Sequence, residues 1–380
     1  MGTITERQTK DGRTRYRAAI RINKDGTKYS ESRTFSKRNL AEAWLKKREA
    51  EIEINPESLH TTPTDDMRFA DVAELYLEQI GNNFGRSHRL SILFVSKQPF
   101  GAKYLGKLKK IDFANYAEDR LKSVKPQTLA GDIVSIRAVL RYAKMVRGMD
   151  VNLEAFEEAV LGLRYARKIK GSDKRNRLPT SDELQALTNI FYSTYQRQAN
   201  IYPMHLIMWF AIYTARRESE IVRLSMSDFR TTENGNWWLV RDMKNPLGSQ
   251  GNHKNIKVPD IVLPIIEELR DGRVQNRMKV SKYYRDNHLI PLDAKNISRL
   301  FTEACRMLGI QDLHFHDLRH EAATRLAEQG LSIPQMQQVT GHDSWSSLQR
   351  YTNLKERPAV LEFDAAMKQA IKNHEMTRGI

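Results

Sequence analysis

Between His314 and Leu354 the chain reads HFHDLRHEAATRLAEQGLSIPQMQQVTGHDSWSSLQRYTNL, which sets His316, Arg319, His342 and Tyr351 within one short stretch. Each side chain has a use at a phosphate. A guanidinium holds two phosphate oxygens in a planar fork and stays charged. An imidazole binds or releases a proton near neutral pH. A tyrosine hydroxyl can act as a covalent nucleophile.

The surrounding residues predict the elements that would hold this set. Leu318, Ala322 and Leu326 form an i, i+4 apolar stripe, and Gly330 stands where a left-handed residue would end a helix begun at His316. His316 and Arg319, three apart, would then leave one face together. Ser332 should cap a second helix with Pro334 in its first turn, Gly341 should stop it, and His342 would follow the stop. Ser344 can cap a third helix anchored by Trp345 and Leu348, with Tyr351 just beyond.

Three pieces of this text carry a likeness: His-Asp-Leu-Arg-His at 316–320, Gly-His at 341–342, and Arg-Tyr-Thr at 350–352. In that order they resemble the tyrosine recombinases, or phage-type integrases. Upstream, Thr214-Ala-Arg-Arg-Glu-Ser-Glu-Ile221 is similar to the family's Thr-Gly-x-Arg-x-x-Glu. The resemblance puts the first catalytic arginine at Arg217 and its buried carboxylate at Glu220. Ala215 departs from the family's glycine, and Arg216 stands beside Arg217, so that choice rests on the spacing to Glu220. The family's β-hairpin lysine maps to Lys244, with Lys254 and Lys257 as rivals across a long glycine-containing loop.

Length and charge agree with a polyanionic partner. At 380 residues the chain should make two or three domains. Its net charge of +16 and the lack of an apolar run long enough to cross a bilayer favour nucleic acid over membrane. The polar start MGTITERQTK predicts no signal peptide, and a single cysteine, Cys305, fits a reducing cytoplasm. Cys305 should pack on a helix over 296–308 as a structural thiol.

The domains can be placed in order. TRYRAAIRI at 14–22 alternates Tyr16, Ala18, Ile20 and Ile22 against Arg15, Arg17 and Arg21, a half-buried strand with a basic face. Asp25-Gly26 signals a hairpin to a second strand through Phe35, and Ser36 should cap a helix bearing Leu40 and Trp44. This 1–56 unit looks like the arm-type DNA-binding domain of phage integrases. Residues 54–67 read as a linker. A helical domain over 66–165 follows, with a stripe of Phe69, Val72, Leu75, Tyr76 and Ile80, a helix capped by Asp112, and a long helix over 126–147 that resembles part of a recombinase core-binding domain. The 166–178 segment, ARKIKGSDKRNRL, is a basic linker in which Lys168, Lys170, Lys174 and Arg175 could meet phosphates. Residues 179–355 should form a mainly α catalytic domain with a small antiparallel sheet, strands at 237–243 and 255–258. The 356–380 tail reads as one more helix, docked on a neighbouring subunit by resemblance or on its own domain.

The resemblance implies a reaction. Arg217 and Arg319 would clamp the phosphodiester, and Tyr351 would attack phosphorus to give a 3′-phosphotyrosyl enzyme and a free 5′-hydroxyl. Lys244 would protonate the leaving oxygen, His316 would help deprotonate the tyrosine or bond the phosphate, and His342 would bond a phosphate oxygen or position Tyr351. No metal and no nucleotide cofactor are expected. By the same resemblance the partners are double-stranded DNA at core and arm sites, a homotetramer joining two duplexes through a Holliday junction, and accessory bending and directionality factors. Within the family, integration or excision of a mobile element competes with shufflon-type inversion. A type IB topoisomerase and a non-catalytic DNA-binding regulator are the other readings.

Overall fold

The computed structural model describes residues 2–8, 14–24, 27–54, 67–81, 85–171, 175–198, 200–243, 250–351 and 357–378. The Asp25-Gly26 turn, most of the 54–67 linker, Lys174, Lys244 and Thr352 lie outside the described residues. The chain divides into two units, Met1–Asp173 and Lys174–Ile380. Among the described residues no helix is long and apolar enough to cross a membrane.

The first unit holds a three-stranded antiparallel sheet, β1 (Gly2–Gln8), β2 (Thr14–Lys24) and β3 (Thr27–Phe35), in the order β1-β2-β3. Alternation along β2 buries Ala18 and Ile20 and turns Arg21 outward. Helix α1 (Arg38–Ile54) packs on this sheet through Ala41, while Leu40 is 48% exposed, so the helix meets the sheet one residue away from the expected position. Strand β1 was not expected, because its polar GTITERQ carries no apolar alternation and gains its order from pairing with β2.

Among the described residues five α-helices follow: α2 (Phe69–Gln79), α3 (Arg86–Ser96), α4 (Lys110–Leu121), α5 (Pro126–Met145) and α6 (Leu153–Tyr165). Phe69, Val72, Ala73, Tyr76 and Leu77 are buried on α2. Asp112 sits in the first turn of α4 and accepts the Lys109 N–H at 2.8 Å, satisfying a donor the helix start leaves open.

The second unit is mostly helical. Helix α7 (Ser181–Gln196) opens with a reciprocal Thr180–Glu183 capping box. Helix α8 (Met204–Thr214) is buried along its whole length, as its unbroken apolar run requires, and α9 (Glu218–Ile221) is one turn. An antiparallel sheet β4 (Phe229–Thr232), β5 (Gly235–Val240) and β6 (Lys254–Val258) precedes α10 (Leu263–Arg270), α11 (Gly272–Met278) and α12 (Ala294–Met307). Strand β5 ends at Val240, short of the expected Met243, where Asp242 takes a positive φ of 49°. Then come α13 (Asp317–Glu328), α14 (Ile333–Thr340), α15 (Trp345–Leu348) and α16 (Phe363–Arg378). Helix α16 packs against α7 of its own chain, the second of the two placements expected for the tail. The Phe363 N–H donates to the Tyr213 hydroxyl at 2.9 Å, and Gln185 donates to the Ala366 carbonyl at 3.0 Å.

Candidate active site

The site begins where α8 stops. Ala215 ends that helix with φ 56°, a left-handed conformation that costs an L-residue with a Cβ on the order of 1 kcal/mol. The turn aims Arg216 and Arg217 in different directions. Arg216 is 3% exposed; its Nε donates to the Thr214 carbonyl at 2.9 Å and its Nη2 to the Val339 carbonyl at 2.7 Å, which ties the turn to α14. Arg217 keeps 24% of its side chain exposed and donates from Nη1 to Glu220 at 2.6 Å. Glu220 is 1% exposed. Burial pushes its pKa up, but Arg216, Arg217 and Arg319 outweigh burial and hold the carboxyl below its ordinary value.

Arg319, on the first turn of α13, is the third cation. It is 4% exposed, its Nη1 donates to the Ala215 carbonyl, and its Nη2 is buried with no partner among the described residues. Burial, followed by the charges of Arg216 and Arg217, pushes its pKa down to about 9. Three guanidiniums around one carboxylate leave an uncompensated positive charge. A buried unpaired donor costs about 1–3 kcal/mol, and an anion entering here would remove that cost.

The histidines and tyrosine surround these cations. His316 immediately precedes α13, and burial, then Arg319 and Arg217, lower its pKa. Gly341 ends α14 with φ 68°, and a Cβ there would lie 2.7 Å from Met243 and 2.9 Å from Ile256. The left-handed conformation favours glycine, and a Cβ would in addition have to push aside the tips of the Met243 and Ile256 side chains. His342, just beyond, pairs its Nδ1 with the Thr340 hydroxyl at 2.8 Å and is held neutral, with a pKa near about 2, by burial and then by Arg319 and Arg217. Tyr351 is buried and protonated: burial raises its pKa, while Arg350 and Arg319 oppose the rise. The charge of Arg319 is felt at His316, His342 and Tyr351, so one region holds all of these groups.

Sequence reading missed His320, one residue past Arg319. Its Nδ1 lies 2.5 Å from the Tyr351 hydroxyl, and its ring meets His316 edge-on at 5.7 Å between centroids. The available signals were its place at the end of the His-Asp-Leu-Arg-His segment and its i+4 spacing from His316.

Other expected contacts fall differently. Of the lysines, Lys254 places Nζ against Asp343 and 3.3 Å from the Gly341 carbonyl, tying β6 to the Gly-His turn, while Lys257 faces out from the same strand. Arg175, expected to meet DNA phosphates, has its guanidinium engaged within the protein: Nε lies 2.6 Å and Nη2 2.7 Å from the carboxylate of Asp317, and Nη1 is 2.8 Å from Asp312. A fork filled by carboxylates is not available to a phosphate. Lys168 pairs with Glu118 at 2.6 Å. Arg17 donates to the Ser32 hydroxyl at 2.9 Å, and Arg15 is half-buried on the same strand. Cys305 is buried, and burial pushes its thiol up to about 11, as befits a packing residue. Among the described residues no group of three or more His, Cys, Asp or Glu side chains could hold a metal ion.

Solved structures share this mostly helical frame with its small antiparallel sheets. The Tn1549 transposon integrase in complex with a circular intermediate DNA superposes with a TM-score of 0.57 at 16% identity, covering 81% of this chain and 100% of that one. A lambda integrase dimer bound to a COC' core site gives 0.50 at 16% identity, covering 94% and 97%. The chain matches the phage integrase family over residues 177–357, which contain the whole Arg217-to-Tyr351 region. It is 26% identical over 285 residues to the shufflon-specific DNA recombinase of Escherichia coli, an alignment spanning 73% of this chain and 66% of that relative. A tyrosine recombinase of Thermosipho africanus is 23% identical over 258 residues, 66% of this chain and 82% of that one.

Proposed function

We propose that this protein cuts and rejoins DNA at specific sites of a mobile element, with Tyr351 as the nucleophile. The observation that carries the reading is the buried Arg319 Nη2, unpartnered among the described residues, together with the 24% exposed Arg217 on the same carboxylate and a Tyr351 hydroxyl that feels the Arg319 charge. Arg217 and Arg319 would bind the non-bridging oxygens of one phosphodiester, where charge grows in the transition state. Preorganised donors of this kind are typically worth about 3–4 kcal/mol each. Glu220 holds the arginines in place, and His342 offers a neutral imidazole to a phosphate oxygen. The Tyr351 oxygen forms a bond to phosphorus as the bond to the 5′-oxygen breaks, and Lys244 is assigned the proton that the 5′-oxygen takes up. The 3′-phosphotyrosyl bond retains the diester's energy, so a second 5′-hydroxyl can reverse the step on another strand.

Four protomers on two duplexes, a Holliday junction and accessory bending factors complete the reading. In it the 1–56 unit binds arm sites with Arg15, Arg17 and Arg21, and the 66–165 helices grip the core site. The N-terminal sheet and helix favour integration or excision. Inversion of the shufflon kind is the second reading, supported by likeness to the Escherichia coli recombinase.

A core-site duplex nicked just beyond the cleavage position tests the chemistry, because the short cleaved fragment diffuses away and traps the adduct. Wild-type protein should form a denaturation-resistant protein–DNA adduct and Tyr351→Phe should form none while still binding. Binding without an adduct in wild type would leave only a DNA-binding role, and an adduct in Tyr351→Phe would place the nucleophile elsewhere.

A further inference from the structure

The expected division of labour gave His316 a part in deprotonating Tyr351, yet the contact on the hydroxyl belongs to His320. We propose that His320 Nδ1 is the group that takes the proton from Tyr351 as its oxygen attacks phosphorus. The inference rests on Tyr351 being the nucleophile.

The contacts and charges at the hydroxyl assign the proton. Arg350 is a cation acting on the Tyr351 oxygen and carries only donors, so the hydroxyl proton is turned away from it. The single hydroxyl proton then points along the 2.5 Å contact to His320 Nδ1, which presents a lone pair when the proton of the neutral ring is on Nε2. His320 is neutral, with a pKa brought down to about 4 by burial first and then by His316 and Arg350. Such a weak base in the resting protein gains strength as an anion enters the arginine cluster and cancels part of the surrounding positive charge. His316 meets His320 edge-on and is left to face the phosphate. Helix geometry makes the contact repeatable: His320 lies on the buried α13, one residue past Arg319, so the phosphate clamp and the proton acceptor share one rigid element.

In the step itself the Tyr351 O–H bond breaks and its proton passes to Nδ1. The oxygen forms the bond to phosphorus, the 5′-bridging bond breaks, and the leaving oxygen takes a separate proton from the lysine or from water. When the attack reverses, His320 returns the proton to the tyrosine.

The test uses the full-length protein on the nicked core-site duplex, once wild type has given an adduct that Tyr351→Phe lacks. That result secures the nucleophile independently of His320. His320→Leu should then bind the DNA normally and form the adduct ~100-fold or more slowly, the usual contribution of general base catalysis. His320→Asn, which keeps a neutral acceptor but cannot hold a proton, should be similarly slow and serves as the readout if the leucine variant folds poorly. Replacing Tyr351 by a ring-fluorinated tyrosine, whose hydroxyl is more acidic, should shrink the loss in both variants to about tenfold or less. Adduct formation at the wild-type rate in either variant, or a loss that fluorination leaves unchanged, would overturn the assignment.

Discussion

Glu220 is the one carboxylate facing three guanidiniums, two of them almost fully buried. Breaking a buried ion pair by neutralising one partner leaves a stranded charge and typically costs about 3–5 kcal/mol. Glu220→Gln should therefore lower stability by roughly that amount in urea unfolding, far more than loss of an exposed ion pair such as Arg38–Glu42. Added sulfate or phosphate should recover part of the loss, since an anion binding the native cluster stabilises it by mass action. A loss that is small and insensitive to anions would mean that the arginines find other partners.

At the scale of the element, two left-handed residues shape the site, and only one is glycine. Ala215 pays for its φ of 56° with a crowded Cβ, so Ala215→Gly should stabilise the protein, by about 0.5–1 kcal/mol after the added freedom of the unfolded chain is subtracted. Gly341 is the opposite case. With φ 68° and neighbours at 2.7 and 2.9 Å, Gly341→Ala should cost about 2 kcal/mol or more and displace His342. Thermal unfolding of the two variants should show midpoints moving in opposite directions, and a shift of the same sign in both would contradict the strain argument.

Over the whole molecule, neutral histidines with lowered pKa values set the acid limit. His205 is fully buried between Tyr192 and Tyr195, and burial, with Arg277 adding, takes its pKa down to about 3. Its folded pKa lies below the unfolded value near 6.5, so the unfolded chain takes up the proton first. Stability is unaffected above about 6.5 and falls as pH drops below it, by about 2 kcal/mol at pH 5 for this residue. His316, His320 and His342, all lowered, act in the same direction, while Glu268, raised by burial, acts against them. The depressed carboxyls of Glu220 and Asp317 add their loss only below about 4. Unfolding free energies measured from pH 7 to 5 should decline, and His205→Phe should flatten the slope; an unchanged slope would remove His205 from the account.

Local rules made much of this chain legible. The stops at Gly330 and Gly341, the Ser332 and Thr180 capping boxes and the period of the α13 stripe depend on residues a few positions apart, and the helices formed where those signals lie. Strands β1 and β4 were not legible, because short polar strands are ordered by the partners they pair with. The ordered set from Arg217 to Tyr351 could be read because each member sits in its own short motif. Tertiary structure alone decided how those members divide the work. Arg216 and Arg217 are adjacent and chemically identical, and only packing against the Val339 carbonyl made one a buried strut and left the other half-exposed. Arg175 reads as one more basic linker residue until Asp317, far along the chain, fills its guanidinium. His320 reaches Tyr351 only because the turns at Gly330 and Gly341 fold α13, α14 and α15 back on one another. Sequence spacing reports contacts within a few turns of helix, whereas contacts across a core follow from the packing of all its elements at once.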